Sequence, residues 1–290
     1  MDLSIVADGY GYLEAPRWHD GELWFSDFWA RTVMSVDADG HLHRHAYVPG
    51  QPSGLGFCPD GSLLIVSTHD GHLLRLSDGL MTFVADIGAT YRGGINDMVV
   101  DREGRAYISS LPGTPVGRRY GEVLETPRLP LIMVDVDGTV RVVADGLRVP
   151  NGLAISDDHS TLIVAETSGH ALKAFDIAGS GSLGRERLFA DLGDRTPDGI
   201  CLDPDGAVWV GSPFTSEFLR VEEGGAITDI VSAPGRWAVA CALGGEDGRT
   251  LYCLTARTSR EDFHQGRASG AIEKCVLEAP ESSASSRSKA

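Results

Sequence analysis

The chain has 290 residues, 42% of them hydrophobic, with a formal net charge of −16. That acidity argues against a nucleic-acid partner, whose phosphates call for a basic surface, and no apolar run reaches membrane-spanning length, so no membrane is expected either. The opening Met-Asp-Leu-Ser carries neither a basic nor an apolar leader segment. The five cysteines are odd in number and lack close metal-type pairs, which fits free thiols and a cytoplasmic address.

The first predicted element is a strand over residues 3–8, recognised by the run Ile5-Val6-Ala7-Asp8-Gly9 that it leads through. After it, one phrase recurs six times: Glu14-Ala15-Pro16-Arg17-Trp18, Ser53-Gly54-Leu55-Gly56-Phe57, Asn96-Asp97-Met98-Val99-Val100, Asn151-Gly152-Leu153-Ala154-Ile155, Asp198-Gly199-Ile200-Cys201-Leu202 and Trp237-Ala238-Val239-Ala240-Cys241. Successive copies begin 39, 43, 55, 47 and 39 residues apart. A period of roughly 40 to 50 residues built of short strands and turns is the mark of a propeller blade. A tight turn follows each phrase, as at Asp20-Gly21, Asp60-Gly61, Glu103-Gly104 and Asp205-Gly206, because Gly accepts positive φ and Asp tolerates it. A second strand comes next, rich in β-branched and aromatic residues, for example Leu63 to Ser67 and Thr250 to Leu254. A third ends in another turn, such as Asp39-Gly40 or Asp137-Gly138, and a fourth leads to the next phrase, as Val142-Val143-Ala144-Asp145 does. No segment reads as an amphipathic helix.

The prediction is an all-β, six-bladed propeller with four-stranded blades, a single domain over residues 1–277. The sixth repeat ends near Val276 without a fourth strand, so residues 3–8 are expected to supply it and close the ring. The polar run over residues 278–290 has nothing to bury and reads as a disordered tail. Each phrase would place its first residue at the inner end of its blade. Four of those residues, Glu14, Asn96, Asn151 and Asp198, are oxygen donors, and oxygen donors converging on one axis describe a site for a hard cation.

These motifs resemble the senescence marker protein/regucalcin, gluconolactonase and luciferin-regenerating enzyme family of six-bladed propellers. The resemblance covers roughly residues 3–277 and is most specific at Leu13-Glu14-Ala15-Pro16-Arg17-Trp18, Ile95-Asn96-Asp97, Val149-Pro150-Asn151-Gly152-Leu153 and Thr196-Pro197-Asp198-Gly199-Ile200. It implies one axial divalent cation bound by Glu14, Asn151 and Asp198, with Asn96 contacting substrate or a water on the metal. All-oxygen ligation suits calcium, with magnesium, manganese or zinc as alternatives. The activity implied is the metal-dependent opening of a lactone by water, with Asp198 as general base as well as ligand, since a carboxylate bound through one oxygen can take a proton on the other. No Gly-x-Ser-x-Gly segment suggests a serine hydrolase instead. The alternatives are a phosphotriesterase of the diisopropylfluorophosphatase type and a calcium-binding propeller without catalysis. Nothing in the sequence sets the oligomeric state.

The chain departs from the family near the substrate. Some members place an arginine two residues before the third-phrase asparagine, where this chain has Gly94, so Arg92 is the available substitute. Ser53 and Trp237 fill the remaining axial places and are expected, with Asn96, Asp97 and Arg92, to meet the substrate. Asp97 would either orient the Asn96 amide or point into its blade. Trp237 as a wall, with Phe28, Trp29, Tyr91 and Phe214 in nearby loops, leans toward a more apolar or aromatic lactone. The third repeat carries an insertion over Leu111 to Pro130, whose Arg118 and Arg119 suit an anionic substrate or a solvated loop equally. Trp24 and Trp209 read as packing between blades.

Overall fold

The computed structural model describes residues 1–112 and 128–278. Most of the third-repeat insertion, with Arg118 and Arg119, and the tail beyond Glu278 lie outside these residues.

Six four-stranded antiparallel sheets form a propeller. The first blade consists of Leu13–His19, Glu22–Asp27, Thr32–Asp37 and Leu42–Tyr47. The inner strands of the next five are Pro52–Phe57, Gly94–Val100, Pro150–Ile155, Ile200–Leu202 and Trp237–Gly244. The ring closes as the sequence predicts. Ser4–Tyr10 is the outer strand of the sixth blade and pairs antiparallel with Ser269–Val276, from Ser4 opposite Lys274 to Tyr10 opposite Gly270.

The turns bear out the acidic-glycine reading, in two geometries. Asp20-Gly21 and Asp78-Gly79 hold both residues at positive φ (49° and 82°, 50° and 75°), the two-residue hairpin turn whose twist matches its strands. At Asp60-Gly61 only the glycine is left-handed, and its amide bonds back to Cys58 O at 2.9 Å.

The core is divided between the blades. Each of six clusters of buried side chains draws on two consecutive blades, the last on blades six and one. Alternation along a strand does this. In Val208–Ser212, Val208 and Val210 pack toward blade four while Trp209, 1% exposed, packs toward blade six. A second strand buried on both faces therefore reads as a continuous apolar run, as Leu63–Ser67 does. Trp209 is the inter-blade packing residue expected of it; Trp24, half-buried, packs against the cluster between blades one and two and stacks on His45 at 3.8 Å.

One element departs from the sequence reading. Arg260–His264 forms a single helical turn between the second and third strands of blade six. Ser259 caps it, accepting from Asp262 N at 3.1 Å, and Asp262 answers through its carboxylate at 2.8 Å. This capping arrangement stabilises a turn too short to show helical periodicity.

Candidate metal and substrate site

The local backbone explains how the six phrases aim one side chain each at the axis. In blades one to four and six, the inner strand breaks register close to its axial residue: between Glu14 and Arg17, Pro52 and Leu55, Ile95 and Met98, Pro150 and Leu153, and Ala238 and Ala240. Such a bulge re-aims a side chain out of the pleat. In blade five, Asp198 precedes the short inner strand and is held by Asp198 N to Gly211 O at 2.9 Å. Neighbouring inner strands also bond sideways, with Gly152 N donating to Asp198 O at 3.1 Å and Gly199 N to Val239 O at 2.9 Å. Only glycine allows this approach at 152, where a Cβ would lie 2.4 Å from Asp198 O.

Four predicted axial side chains form one hydrogen-bonded chain. Ser53 Oγ donates to Asn96 Oδ1 at 2.9 Å, Asn96 Nδ2 to Asn151 Oδ1 at 2.8 Å, and Asn151 Nδ2 to Asp198 Oδ1 at 2.5 Å. Asn151 Nδ2 also donates to Thr167 Oγ1 at 3.2 Å, and Thr167 passes its proton on to Pro197 O at 2.7 Å. At the far end, Ser26 Oγ fixes the Ser53 carbonyl at 2.8 Å. The chain runs through blades two, three, four and five and ends on a carboxylate.

Three carboxyl groups share this centre. Burial, then the charges of Asp198 and Asp97, push Glu14 well above the usual carboxylate range, with Arg17 opposing. Burial and Asp97 likewise raise Asp198, and the Asn151 bond only partly offsets them. Asp97 is also raised by burial, against the pull of Arg17. Arg17 Nη2 pairs with Asp97 Oδ1 at 2.9 Å and donates to Met98 O at 2.5 Å. Asp97 thus faces Arg17 of blade one instead of the amide of Asn96, and its Oδ1 also accepts from Met98 N at 2.8 Å.

The donor set suits a hard cation. No donor reaches the Glu14 carboxylate among the described residues, and Asp198 Oδ2 has none either. Two buried carboxylates, Glu14 raised by Asp198 and Asp97 and Asp198 raised by Asp97, beside an amide oxygen, form a site short of positive charge.

The remaining predicted residues divide. Trp237 is half-buried at the sixth axial place, its ring edge-on to Phe214 at 5.2 Å and 6.5 Å from Tyr12. Arg92 is exposed, in the segment that leads into Gly94, and forms no ion pair among the described residues. Gly94 presents no side chain to the site. Tyr91 bonds Leu111 O at 2.7 Å.

Sequence reasoning missed Tyr12, Phe263 and Arg17. Burial, then Asp198 and Glu14, raise the Tyr12 phenol, which places it beside both carboxylates. Its signal was available, because residues two apart in extended chain share a side. Phe263 packs on Tyr12 at 4.7 Å from the short helix, whose Ser259-x-x-Asp262 cap was the readable sign. The partnership of Arg17 with Asp97 left no local mark.

Residues 13–257 match the SMP-30/Gluconolactonase/LRE-like region family. Among curated relatives, 6-deoxy-6-sulfogluconolactonase of Pseudomonas putida is 28% identical over 85% of this chain and 84% of its own. Pentonolactonase of Haloferax volcanii is 26% identical over 94% and 93%, and regucalcin of Gallus gallus 26% over 87% and 85%. Among solved structures, a calcium-binding regucalcin of Agrobacterium tumefaciens superposes with a TM-score of 0.76 at 19% identity, over 94% of this chain and 92% of that one. A luciferin-regenerating enzyme gives 0.79 at 17% identity, over 94% of each chain. At such identity the structures speak for the fold, and the match over residues 13–257 speaks for the family. The chain belongs to the SMP-30/gluconolactonase/LRE-like family.

Proposed function

We propose that this protein is a divalent-metal-dependent lactonase. The observation that carries the reading is the chain from Ser53 through Asn96 and Asn151 to Asp198, set beside a Glu14 carboxylate that no donor reaches among the described residues. The names of the lactonase relatives support the reaction class, and those of the regucalcins support calcium as the ion, ahead of magnesium, manganese and zinc.

Glu14, Asn151 and Asp198 would hold the cation, which supplies Lewis-acid polarisation of the lactone carbonyl. Asn96, its Oδ1 tied to Ser53, keeps one amide N–H for Asn151 and one for substrate. Asp198 takes the proton that water loses as the water oxygen bonds to the carbonyl carbon. When the ring C–O bond breaks, that proton goes to the leaving alkoxide, and the product is a hydroxy acid. Ser53 and Asp97 act through others: Ser53 orients Asn96, and Asp97 is held by Arg17. Arg92 and Trp237 would meet the parts of the substrate away from the ring being opened.

The test is a chelator-stripped sample assayed on a lactone panel and on an organophosphate triester. Lactone turnover lost on stripping and restored by calcium supports the reading. Faster turnover of the triester would replace it with a phosphotriesterase, and calcium binding without turnover of either would leave a binding propeller.

A further inference from the structure

Around Tyr12, blades one, five and six bring five aromatic rings together near the axial residues Glu14 and Trp237. From Tyr12, two residues before Glu14 in the chain, the ring of Phe263 lies 4.7 Å away and that of Trp237 6.5 Å away. Phe263 continues to Trp29 at 5.5 Å, and Trp237 to Phe214 at 5.2 Å. Tyr12, Trp29, Trp237 and Phe263 belong to or pack against the cluster shared by blades six and one, and Phe214 of blade five extends that aromatic run outward. Phe214 is 46% exposed and its face is not bare: the Arg260 guanidinium lies over it, 4.3 Å from the ring centre. Arg260 itself is exposed and makes no ion pair among the described residues, although the chain is strongly acidic. An arginine stacked on a ring has lost much of its freedom while its N–H edge still faces outward, which prepares it for a planar anion.

We propose that this pocket selects lactones bearing a flat apolar group, an aryl ring above all, that ends in a carboxylate. The inference rests on the lactonase reading above and names its substrate class. The lactone carbonyl sits at the Glu14, Asn151 and Asp198 centre, the flat group lies along Trp237 and Phe214, and the carboxylate meets Arg260. One guanidinium in a chain of net charge −16 matches a single negative charge better than the two of a phosphate, and its fork fits a carboxylate in two places. A polyhydroxylated lactone would instead ask for a polar partner at each hydroxyl, and these five side chains are mostly aromatic carbon.

The test compares three lactones on the calcium-loaded protein: γ-butyrolactone, dihydrocoumarin, and a dihydrocoumarin carrying a carboxylate on its benzene ring. The expected order of kcat/KM rises along that series. Arg260→Gln should lower the ratio of carboxylated to uncharged aryl lactone by about ten- to a hundredfold, mainly through KM, as loss of a charge-assisted hydrogen bond predicts. Arg260→Lys should fall between, and Trp237→Ala should lower the ratio of dihydrocoumarin to γ-butyrolactone by up to about tenfold. Binding is read separately, from tryptophan fluorescence on adding hydrocinnamate or its uncharged amide. If no lactone is hydrolysed but hydrocinnamate binds in an Arg260-dependent way, the hydrolase reading falls and the aryl-carboxylate pocket stands. If small lactones are hydrolysed while neither the ratio nor the binding depends on Arg260, the pocket assignment is overturned and the hydrolase reading survives.

Discussion

Glu14 and Asp198 meet at the axis with the guanidinium of Arg17 as the opposing charge that acts on Glu14, and that guanidinium is already engaged by Asp97. Without a cation, each carboxyl is therefore easier to bury with its proton on. The folded-state values lie above the unfolded ones, so the stabilising effect is complete below the ordinary carboxylate range and is lost as pH rises through the folded values. For Asp198 that window runs from its ordinary 3.8 up to about 8. Metal-free protein should thus melt at lower temperature at pH 8 than at pH 5, and the rise in Tm on adding calcium should grow with pH. Scanning calorimetry across that range checks it, and a calcium increment that shrinks with pH would contradict it. The same charges separate two variants. Asp198→Asn should abolish turnover and weaken metal binding, yet raise the stability of the metal-free protein at pH 8 by about 1 kcal/mol or more, because a buried unpaired charge is gone. Asn96→Ala leaves the three proposed ligands in place, so bound metal per chain should stay near one while KM rises or kcat falls about tenfold to a hundredfold. If Asn96→Ala loses the metal as completely as Asp198→Asn, Asn96 is itself a ligand.

At the scale of the strand, the site depends on inner strands that break register and lie against one another. Gly152 is a point of that design sensitive to mutation, since a Cβ there would sit 2.4 Å from Asp198 O and 2.7 Å from Ile200 N. Backbone cannot yield as a flexible side chain does, so Gly152→Ala should cost about 1–3 kcal/mol and also lower metal affinity, because it pushes Asp198 away from Asn151. Gly61→Ala strains an open turn, with nothing near its Cβ. It should cost about 1 kcal/mol and leave the metal affinity alone. Equal metal affinities in the two variants would dissociate the sideways contact from the site. This difference in kind also explains what the sequence could and could not disclose. Strands and turns were legible because alternation and acidic-glycine pairs are local. The axial set Glu14, Ser53, Asn96, Asn151, Asp198 and Trp237 was legible because each opens a copy of one phrase. The bulges were not, since register belongs to a pair of strands. Nor was the bond from Arg17 to Asp97, which spans 80 residues and exists only once blades one and three share an axis. The helical turn at Arg260–His264 escaped because one turn shows no period, and with it went Phe263 and the place of Arg260 over Phe214.

The ring as a whole stands or falls at the seam where its two ends join. Blade six takes its outer strand, Ser4–Tyr10, from the start of the chain, while the next residues, from Gly11 on, lead into blade one and Glu14. The seam is therefore close in sequence to a proposed metal ligand. Val6, Ala7 and Tyr10 pack against the cluster shared by blades six and one, and Tyr10 meets Phe25 edge-on at 5.5 Å. A chain begun at Gly11 would lose these contacts and the ladder opposite Ser269–Val276, and would expose that strand as an open edge. In a repeat architecture each blade is steadied mainly by its neighbours, so the damage should be local first: blade six loosens, then its contact with blade one. Glu14 and Asp198 face each other across that blade, and metal affinity should drop although every ligand is present. The expected calorimetric trace is a new low-temperature transition ahead of the main one, with lowered calcium affinity and a tendency to associate. A synthetic peptide of residues 1–10, added in excess, should re-form the strand, remove the early transition and restore affinity, as strand addition to an open edge does. A truncated protein that melts in one step at the full-length temperature, with unchanged calcium affinity, would show that the seam contributes nothing to the site.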